Sequence, residues 1–383
     1  MSSFEYIEIK GYRRLFDVRV DMRNRPLTVM IGANGVGKTS LLEIFSLLAA
    51  SANAQLGNKI SDLGGLPDII TRDRTNSIAI SLSMNVPSHA PLDYYLEVAL
   101  KGLTYEIVQE TLSENNFLGL EPSKHIDSLG LDVKYFNFED QKLLRPNWDH
   151  NPLETSLAQV PKMYQEPEYI RKQLASCTFY GALNVAPKSP VRLPQSMRPA
   201  TLPGANGEDL VACLYYLRET DPERFELIED TLAAAFPDFE RLSFPPVAAG
   251  TITMTWKDKN FSKPIYMHQL SEGTLRFLWL VTLLQSPDLT AVTLIDEPEV
   301  SLHPELLRLL VDVMREASQR TQLIVATHSD RLIRFLQPKE VLVCDAEDGL
   351  TTMTWGDSFN LEHWLEEYSL DQIWAMNLIG GRP

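Results

Sequence analysis

The sequence has few cysteines, no long apolar run and no apolar segment near its first residue. Its three cysteines, Cys177, Cys213 and Cys344, are scattered and form no CxxC pair, which excludes a cysteine zinc site and a disulfide-stapled fold. No uninterrupted apolar run reaches the ~18 residues that span a bilayer. The first residues, MSSFEYIEIKGYRRL, lack the apolar core of a secretory signal. We therefore expect a cytoplasmic protein that does not associate with a membrane.

Basic residues are scarce relative to acidic ones. The 383 residues include 51 acidic and 35 basic side chains, which gives a formal net charge of −16. This balance argues against a protein that coats nucleic acid through its total charge, although it leaves room for a local basic groove. With 44% hydrophobic and 22% charged residues, the composition is that of a globular protein with a substantial core and excludes intrinsic disorder.

The pattern of apolar residues predicts three successive regions. Region 1–112 contains a turn at Lys10-Gly11, an apolar strand at Leu27–Ile31 and an antiparallel meander over 77–112. Region 113–268 is predicted to be an insertion or helical lid, and its proline-rich part, 113–205, is expected to stay outside the central sheet. Region 269–383 alternates apolar strands with amphipathic helices, which is typical of a parallel sheet with both faces covered.

A glycine-rich motif follows the apolar strand Leu27–Ile31. Its sequence, GANGVGKT, fits the Walker A pattern G-x-x-x-x-G-K-[ST] between a strand and a helix. Successive backbone N–H groups of such a turn and the positive end of the following helix can hold a polyphosphate. The residues predicted to bind the nucleotide here are Gly32, Ala33, Asn34, Gly35, Val36, Gly37, Lys38, Thr39 and Ser40. Lys38 would hold the β- and γ-phosphates and Thr39 would ligate Mg²⁺, so ATP and Mg²⁺ are the predicted cofactors.

Two carboxylates and a histidine are predicted at the ends of later strands. The apolar strand Ala291–Ile295 is followed by Asp296 and Glu297, and a later strand is followed by His328. Ligands of α/β sheets bind at this edge. Asp296 would help to hold Mg²⁺, Glu297 would polarise the attacking water, and His328 would sense the γ-phosphate. Together with Lys38, Glu297 and His328 are the predicted catalytic residues.

A further motif opens the helix before the carboxylate strand. Ser271, in Leu270-Ser271-Glu272-Gly273-Thr274, would cap this helix, and Gly273 allows close backbone approach. With Ser301-Leu302-His303-Pro304, these residues resemble the signature and D-loop of ABC-type ATPases. Within that class the chain resembles the RecF/SMC/OLD-like branch, specifically the small AAA15/AAA_21 family of bacterial ATPases that lack a Toprim domain. Further carriers of this resemblance are Ile9–Arg13, Asn206–Leu210, Phe236–Phe239 and Ala326–Ser329.

The resemblance implies a fold and a mode of assembly. The fold would be α/β, a P-loop NTPase of ABC-ATPase type, with a mixed sheet, an antiparallel β subdomain and a helical or irregular insertion. Region 1–112 would then be the N-terminal ATPase lobe and region 269–383 the C-terminal one. Two protomers would enclose two ATP molecules head to tail, with Ser271 and Gly273 of one subunit completing the site of the other. The resemblance also implies that Arg13 reaches the nucleotide, whereas a surface arginine is the alternative.

Some residues depart from the family pattern, and the roles of others are not assigned. Glu272 and Thr274 replace glycine and glutamine of the transporter signature, and no Q-loop glutamine is assigned, with Gln109 and Gln55 as candidates. Asp345–Gly349 is interpreted as a hairpin turn, not a metal-binding nuclease cluster. A further group of basic residues, Arg171, Lys172, Lys188, Arg192 and Arg198, is interpreted as a solvated loop, with a DNA-facing patch as the alternative.

The predicted function is an ATP-driven dimerising switch. As a homodimer or larger assembly, it would control a separately encoded effector, such as a Toprim- or HNH-type nuclease, in DNA-related or anti-phage defence; DNA itself is a possible partner. A DNA repair ATPase that acts directly on DNA ends is the main alternative. A transporter subunit, a self-sufficient nuclease and a non-hydrolysing scaffold are less favoured.

Overall fold

Two β-sheets with a helix between them form the frame of the molecule. The structure, a computed structural model, describes residues 3–86, 90–115, 122–137, 140–248 and 250–381. The strands are β1 (Ser3–Tyr12), β2 (Leu15–Asp21), β3 (Leu27–Ile31), β4 (Ser77–Asn85), β5 (Leu92–Lys101), β6 (Thr104–Glu114), β7 (Ser123–Leu129), β8 (Asp132–Asn137), β9 (Lys142–Leu144), β10 (Thr178–Tyr180), β11 (Gln195–Ser196), β12 (Phe239–Ser243), β13 (Pro246–Ala248), β14 (Thr251–Ile252), β15 (Thr255–Asp258), β16 (Ile265–Tyr266), β17 (Val292–Asp296), β18 (Gln322–Ala326), β19 (Val341–Glu347) and β20 (Leu350–Trp355). The helices are α1 (Lys38–Ala52), α2 (Leu56–Asp62), α3 (Leu66–Ile69), α4 (Ser156–Gln159), α5 (Gln165–Ala175), α6 (Leu210–Thr220), α7 (Pro222–Ala235), α8 (Glu272–Gln285), α9 (Leu306–Ala317), α10 (Asp330–Ile333), α11 (Glu362–Leu365) and α12 (Leu370–Ala375).

The central sheet has the strand order β10-β17-β18-β3-β19-β20. All neighbouring strands are parallel except β20, which forms an antiparallel hairpin with β19. Both faces of this sheet are covered, so its strands are apolar on both sides. In β3, for example, Val29 and Ile31 pack in one core cluster while Met30 packs in the other. The predicted parallel sheet of the C-terminal region is confirmed, as is the hairpin turn at Asp348-Gly349.

The second sheet is antiparallel and has the order β2-β1-β4-β5-β6-β7-β8-β9. The predicted meander forms its middle, and β7, β8 and β9 extend it into the region predicted to be irregular. The prediction that 113–205 stays outside the central sheet is wrong, because β10 pairs in parallel with β17. This strand has only three residues, and a strand that short carries too little periodicity to be recognised before its partner is known.

The first turn lies later than the sequence predicts. Strand β1 continues through Lys10 and Gly11 to Tyr12, and the chain turns at Arg13 and Arg14. Gly11 has φ +82°, and a Cβ there would collide with the backbone carbonyl of Ser77. The glycine is therefore required by the close approach of the neighbouring chain segment and not by a turn.

Helix α1 lies between the two sheets, and helices α6 to α9 cover the other face of the central sheet. Leu41, Leu42 and Phe45 of α1 share one core cluster with the antiparallel sheet and with Val292 and Leu294 of β17. The opposite cluster contains the apolar residues of α6, α7, α8 and α9. The carboxyl ends of the parallel strands therefore lie at the edge of the central sheet where α1 begins. Within the described residues, no helix has the length and apolarity that crossing a membrane requires.

Candidate nucleotide site

The glycine-rich loop Gly32–Gly37 connects β3 to α1, as the sequence predicts. Gly32, Gly35 and Gly37 have φ values of +152°, +76° and +111°, which side chains rarely adopt. Gly37 directly precedes the first residue of α1. Its Cβ would lie 2.6 Å from the hydroxyl of Thr351, which itself donates to the carbonyl of Val36 at 2.6 Å. The loop therefore wraps around the start of α1 with its backbone N–H groups available to an anion.

Lys38 is half-buried and held inside this loop. Its Nζ donates to the carbonyl oxygens of Gly32 at 2.6 Å and Ala33 at 2.9 Å. Burial lowers the pKa of Lys38, while nearby Cys344, Asp296 and Glu297 oppose that shift. An ammonium group has three donors, so one N–H of Lys38 remains beyond those that the two carbonyls accept.

Thr39 and Asp296 meet although they are far apart in the sequence. The Thr39 hydroxyl donates to Asp296 Oδ2 at 3.3 Å, because α1 begins beside the end of β17. Burial raises the pKa of Asp296, as does neighbouring Glu297, and Thr39 and Lys38 lower it. Hard oxygen donors of this kind are the ligands that Mg²⁺ prefers in proteins. The described residues contain no cluster of three or more His, Cys, Asp or Glu that could hold a metal, so phosphate oxygens and water would supply the other ligands.

Glu297 and His328 lie together at the ends of adjacent strands. Their side chains are 3.1 Å apart, from His328 Nδ1 to Glu297 Oε1, and both are partly exposed. β17 and β18 are parallel neighbours, with Asp296 opposite Ala326, and the Glu297 N–H donates to the Ala326 carbonyl at 2.8 Å. Glu297 adopts φ +51°, so the backbone departs from the extended conformation of β17 at this residue. Its side chain contacts His328.

Arg13 lies beside the glycine-rich loop. Its Nε is 2.9 Å from Glu43 Oε2 on α1, and the Tyr12 hydroxyl donates to the same oxygen. Arg13 lines a cavity of about 670 Å³ together with Gly35 and Ser40. The prediction that Arg13 contacts nucleotide is compatible with this position and stays a prediction.

Ser271 and Gly273 lie at the N-terminus of α8. Ser271 caps this helix, since its Oγ accepts from the Thr274 N–H at 3.1 Å. A Cβ on Gly273 would lie 2.6 Å from the Ser301 carbonyl, so the signature motif packs directly on the D-loop. Ser271 is exposed, and no described hydrogen bond joins it to the glycine-rich loop of the same chain.

The other sequence-predicted candidates are less central. Gln109 lies within β6, and Gln55 accepts from the Asn58 amide at 2.6 Å, so neither has a described hydrogen bond to the loop. The last residue of β10, Tyr180, is paired with Ile295, and the chain after it therefore emerges at the edge that carries Asp296. That segment contains Asn184, which is exposed and accepts from the Ala186 N–H at 3.0 Å; the segment had no signal in the sequence because β10 was not predicted.

Most of the suspected DNA-facing basic residues are engaged within the chain. Arg171 and Lys172 pair with Glu168, and Arg198 pairs with Asp209. Arg192 donates to three backbone carbonyls, including that of Leu270 at 2.9 Å. Arg192 therefore supports the segment that leads into the signature motif, a role without a sequence signal.

The fold and the site define the class of the protein. The protein combines an antiparallel sheet with a mostly parallel one. The parallel strands carry a Walker A loop after β3, two carboxylates at the end of β17 and a histidine after β18. This combination defines a P-loop ATPase of ABC type. A profile of the family described as "AAA domain, putative AbiEii toxin, Type IV TA system" matches residues 27–334. The chain belongs to this family, AAA_21, and the predicted fold class is confirmed. No curated protein matches its sequence.

Solved structures with a similar fold include heads of Smc proteins. One is an Smc head bound to the C-winged helix domain of ScpA, with a TM-score of 0.59 and 12% identity over 92% of this chain and 97% of that chain. Another is the Pyrococcus furiosus Smc head with an extended coiled coil, bound to the C-terminal domain of ScpA. Its TM-score is 0.56 at 11% identity, over 96% of this chain and 99% of that chain. At these identities the similarity shows the fold alone.

Gly32 offers a test of the geometry of the loop. A Cβ at this position would collide with the Cys344 carbonyl of β19, so Gly32→Ala should move the loop, lower the free energy of unfolding by about 2–3 kcal/mol and weaken ATP binding by about tenfold. Gly35→Ala is the control, because its Cβ meets nothing within 4 Å and only the backbone strain of about 1 kcal/mol remains. Thermal unfolding and nucleotide titration of both variants measure the difference. Equal effects in the two variants would contradict the close approach.

Proposed function

We propose that this protein binds ATP with Mg²⁺, dimerises head to tail around two nucleotides and uses ATP hydrolysis to open the dimer. The observation that carries the proposal is the division of the site. Lys38, Thr39, Asp296, Glu297 and His328 converge within one chain, whereas exposed Ser271 has no described hydrogen bond to that site. A second copy in a head-to-tail arrangement would bring its own Ser271 and Gly273 to the γ-phosphate.

Each residue of the site has a separate task in this proposal. Lys38 and the loop N–H groups would hold the β- and γ-phosphates, and Thr39 and Asp296 would hold Mg²⁺, which offsets phosphate charge. Glu297 would accept a proton from the attacking water. The water oxygen would then bond to the γ-phosphorus while the bond between that phosphorus and the β–γ bridging oxygen breaks, leaving ADP and phosphate. His328 would contact the γ-phosphate and keep Glu297 oriented.

The kind of effector that the switch would control is also part of the proposal. The family description names a toxin of a type IV toxin–antitoxin system, which supports a defence-related role for a switch of this kind. A separately encoded Toprim- or HNH-type nuclease is the proposed partner, and the proposed location is the cytoplasm. The division into lobes 1–112 and 269–383 around the insertion 113–268 likewise stays a prediction.

Direct action on DNA ends is the second candidate, and one observation favours it. Three further arginines, Arg14, Arg72 and Arg74, line the cavity beside the glycine-rich loop. All three are exposed and make no ion pair with a described residue. Phosphate groups of a DNA end would match this charge. Unchanged DNA affinity at low salt after Arg72→Glu and Arg74→Glu would count against this candidate.

Mixing two inactive variants tests the head-to-tail dimer. Lys38→Ala removes the phosphate ligand and Ser271→Arg blocks the signature, so each variant alone should have no ATPase activity. A mixed dimer contains one site with an intact loop and an intact signature, and equal mixing should therefore restore up to about a quarter of the wild-type rate. Steady-state phosphate release measures the recovery. A mixture as inactive as its components, at concentrations where wild type is active, would contradict the proposal.

A further inference from the structure

Glu299 is a partly buried carboxylate in the same loop as Glu297, and it contacts the loop that carries His328. Its Oε1 accepts a hydrogen bond of 2.5 Å from the hydroxyl of Thr327, the residue before His328. Its Oε2 is buried and has no hydrogen-bond partner among the described residues. A carboxylate with one buried and unpaired oxygen costs stability, so its presence beside Glu297 and His328 calls for a functional reason.

The loop that carries His328 is held from two sides. The Thr327 N–H donates to the Met30 carbonyl at 3.0 Å, at the end of the strand that leads into the glycine-rich loop. On the other side, the Thr327 hydroxyl reaches Glu299. Burial raises the pKa of Glu299, and the hydrogen bond from Thr327 opposes this shift. Glu299 therefore contacts the residue that directly precedes His328.

The segment that carries Glu299 has a defined conformation. Glu297 and Ser301 have φ values of +51° and +63°, and strained residues of this kind persist only where surrounding contacts fix them. The Val300 N–H donates to the Glu297 carbonyl at 3.2 Å. At the other end of the segment, the Ser301 hydroxyl donates to Glu272 of the signature motif at 2.8 Å. Glu299 thus lies in the short segment between Glu297 and Ser301, the residue that contacts Glu272.

We propose that Glu299 is a positioning residue for ATP hydrolysis, which holds the Thr327-His328 loop so that His328 stays against Glu297. The inference rests on the proposed ATPase function and adds a residue that contacts neither nucleotide nor metal. It also supplies a physical connection through which contact at Ser271, Glu272 and Ser301 would influence the orientation of His328. Loss of Glu299 should therefore slow the chemical step and leave nucleotide binding intact.

Glu299→Gln weakens this contact, because a neutral acceptor replaces a charged one, and Thr327→Val removes it. Gln keeps an acceptor but removes the charge, and Val keeps the shape of Thr while removing the hydroxyl donor. We expect kcat to fall by about 10-fold in each variant, with the ATP Kd and the ATP-dependent dimer unchanged. The double variant should be no slower than Thr327→Val alone, because that change already removes the hydrogen bond to Glu299. Thr327→Val also removes the hydroxyl that accepts from the Ser329 N–H at 3.0 Å. Thr327→Ser, which restores the hydroxyl, should recover most of the rate.

The His328→Ala background separates positioning from a general structural effect. If Glu299 acts through His328, Glu299→Gln should cause no further loss of kcat in that background. Glu305→Gln is the matched control, since Glu305 follows this segment, directly before α9, and is highly exposed; it should keep the wild-type rate. Thermal unfolding of all variants checks that they are folded, and Thr327→Ser against Thr327→Val provides a second comparison should Glu299→Gln fail to fold.

Three outcomes would overturn the inference. They are a wild-type kcat for Glu299→Gln, a loss of ATP affinity that accounts for the whole rate change, or a further 10-fold loss in the His328→Ala background. Failure of the proposed function gives a different result, because wild-type protein would then show neither ATP hydrolysis nor an ATP-dependent dimer. Wild-type hydrolysis with an unaffected Glu299→Gln variant would reject the role of Glu299 alone.

Discussion

Glu297→Gln should reduce ATP hydrolysis by about 100-fold or more while ATP binding persists. The substitution keeps the size of the side chain but removes the carboxylate that would accept the proton of the attacking water. The residues that would hold the phosphates and the metal are unchanged, since Lys38 is fixed by the carbonyls of Gly32 and Ala33. Single-turnover phosphate release and ATP titration measure the two properties separately.

The same variant should accumulate as a dimer in ATP. When the chemical step is blocked, the two nucleotides keep the protomers together, and sedimentation or light scattering should show twice the monomer mass with ATP and Mg²⁺ but not with ADP. Glu347→Gln is a suitable control because Glu347 is an exposed carboxylate in the β19–β20 hairpin. It should hydrolyse ATP at the wild-type rate. A Glu297→Gln protein that remained monomeric in saturating ATP and Mg²⁺ would reject the switch.

Lys38→Ala should weaken ATP binding by about 30-fold or more, because removing one partner of a partly buried charge pair costs about 2–5 kcal/mol. The Lys38 ammonium is directed into the loop by two backbone carbonyls and has one N–H left for a phosphate. Alanine leaves the loop without this charge, so both binding and hydrolysis should be lost. Isothermal titration with a non-hydrolysable ATP analogue measures the affinity.

Two comparisons identify the cause of that loss. Lys10→Ala should keep wild-type affinity, since Lys10 is exposed and pairs with Glu8 at 2.9 Å. Lys38→Arg keeps the charge but places a larger, planar group between the same carbonyls, and it should also bind ATP poorly. Wild-type affinity in Lys38→Ala would mean that the loop is not the phosphate site.

The motifs could be predicted because each lies within one short segment. The glycine-rich loop specifies its own backbone conformation, since Gly32, Gly35 and Gly37 adopt φ values that other residues disfavour. The meeting of Glu297 with His328 was also predictable, since the ends of neighbouring parallel strands lie at one edge of a sheet. The roles assigned to these residues stay predictions until the variants are measured.

Other contacts had no signal in the sequence. Arg13 is oriented by Glu43, and Thr351 supports Val36 from the hairpin near the end of the chain. The prediction of a turn at Lys10-Gly11 was wrong because a glycine suits a close approach, here to Ser77, as well as it suits a turn. In each case the same residue type fits several structural environments. The contacts made in the folded protein decide which environment the residue occupies.

The sequence by itself determined the class of the protein. It contains a Walker A loop and a strand that ends in two carboxylates, and its motifs follow the order found in ABC-type ATPases. Only the tertiary structure decided that β10 joins the central sheet, that Ser301 contacts Glu272 and that Glu299 holds Thr327. The physical reason is distance along the chain. Local periodicity and turn chemistry act over a few residues, whereas these contacts depend on the register of strands and loops that meet only after the chain has folded.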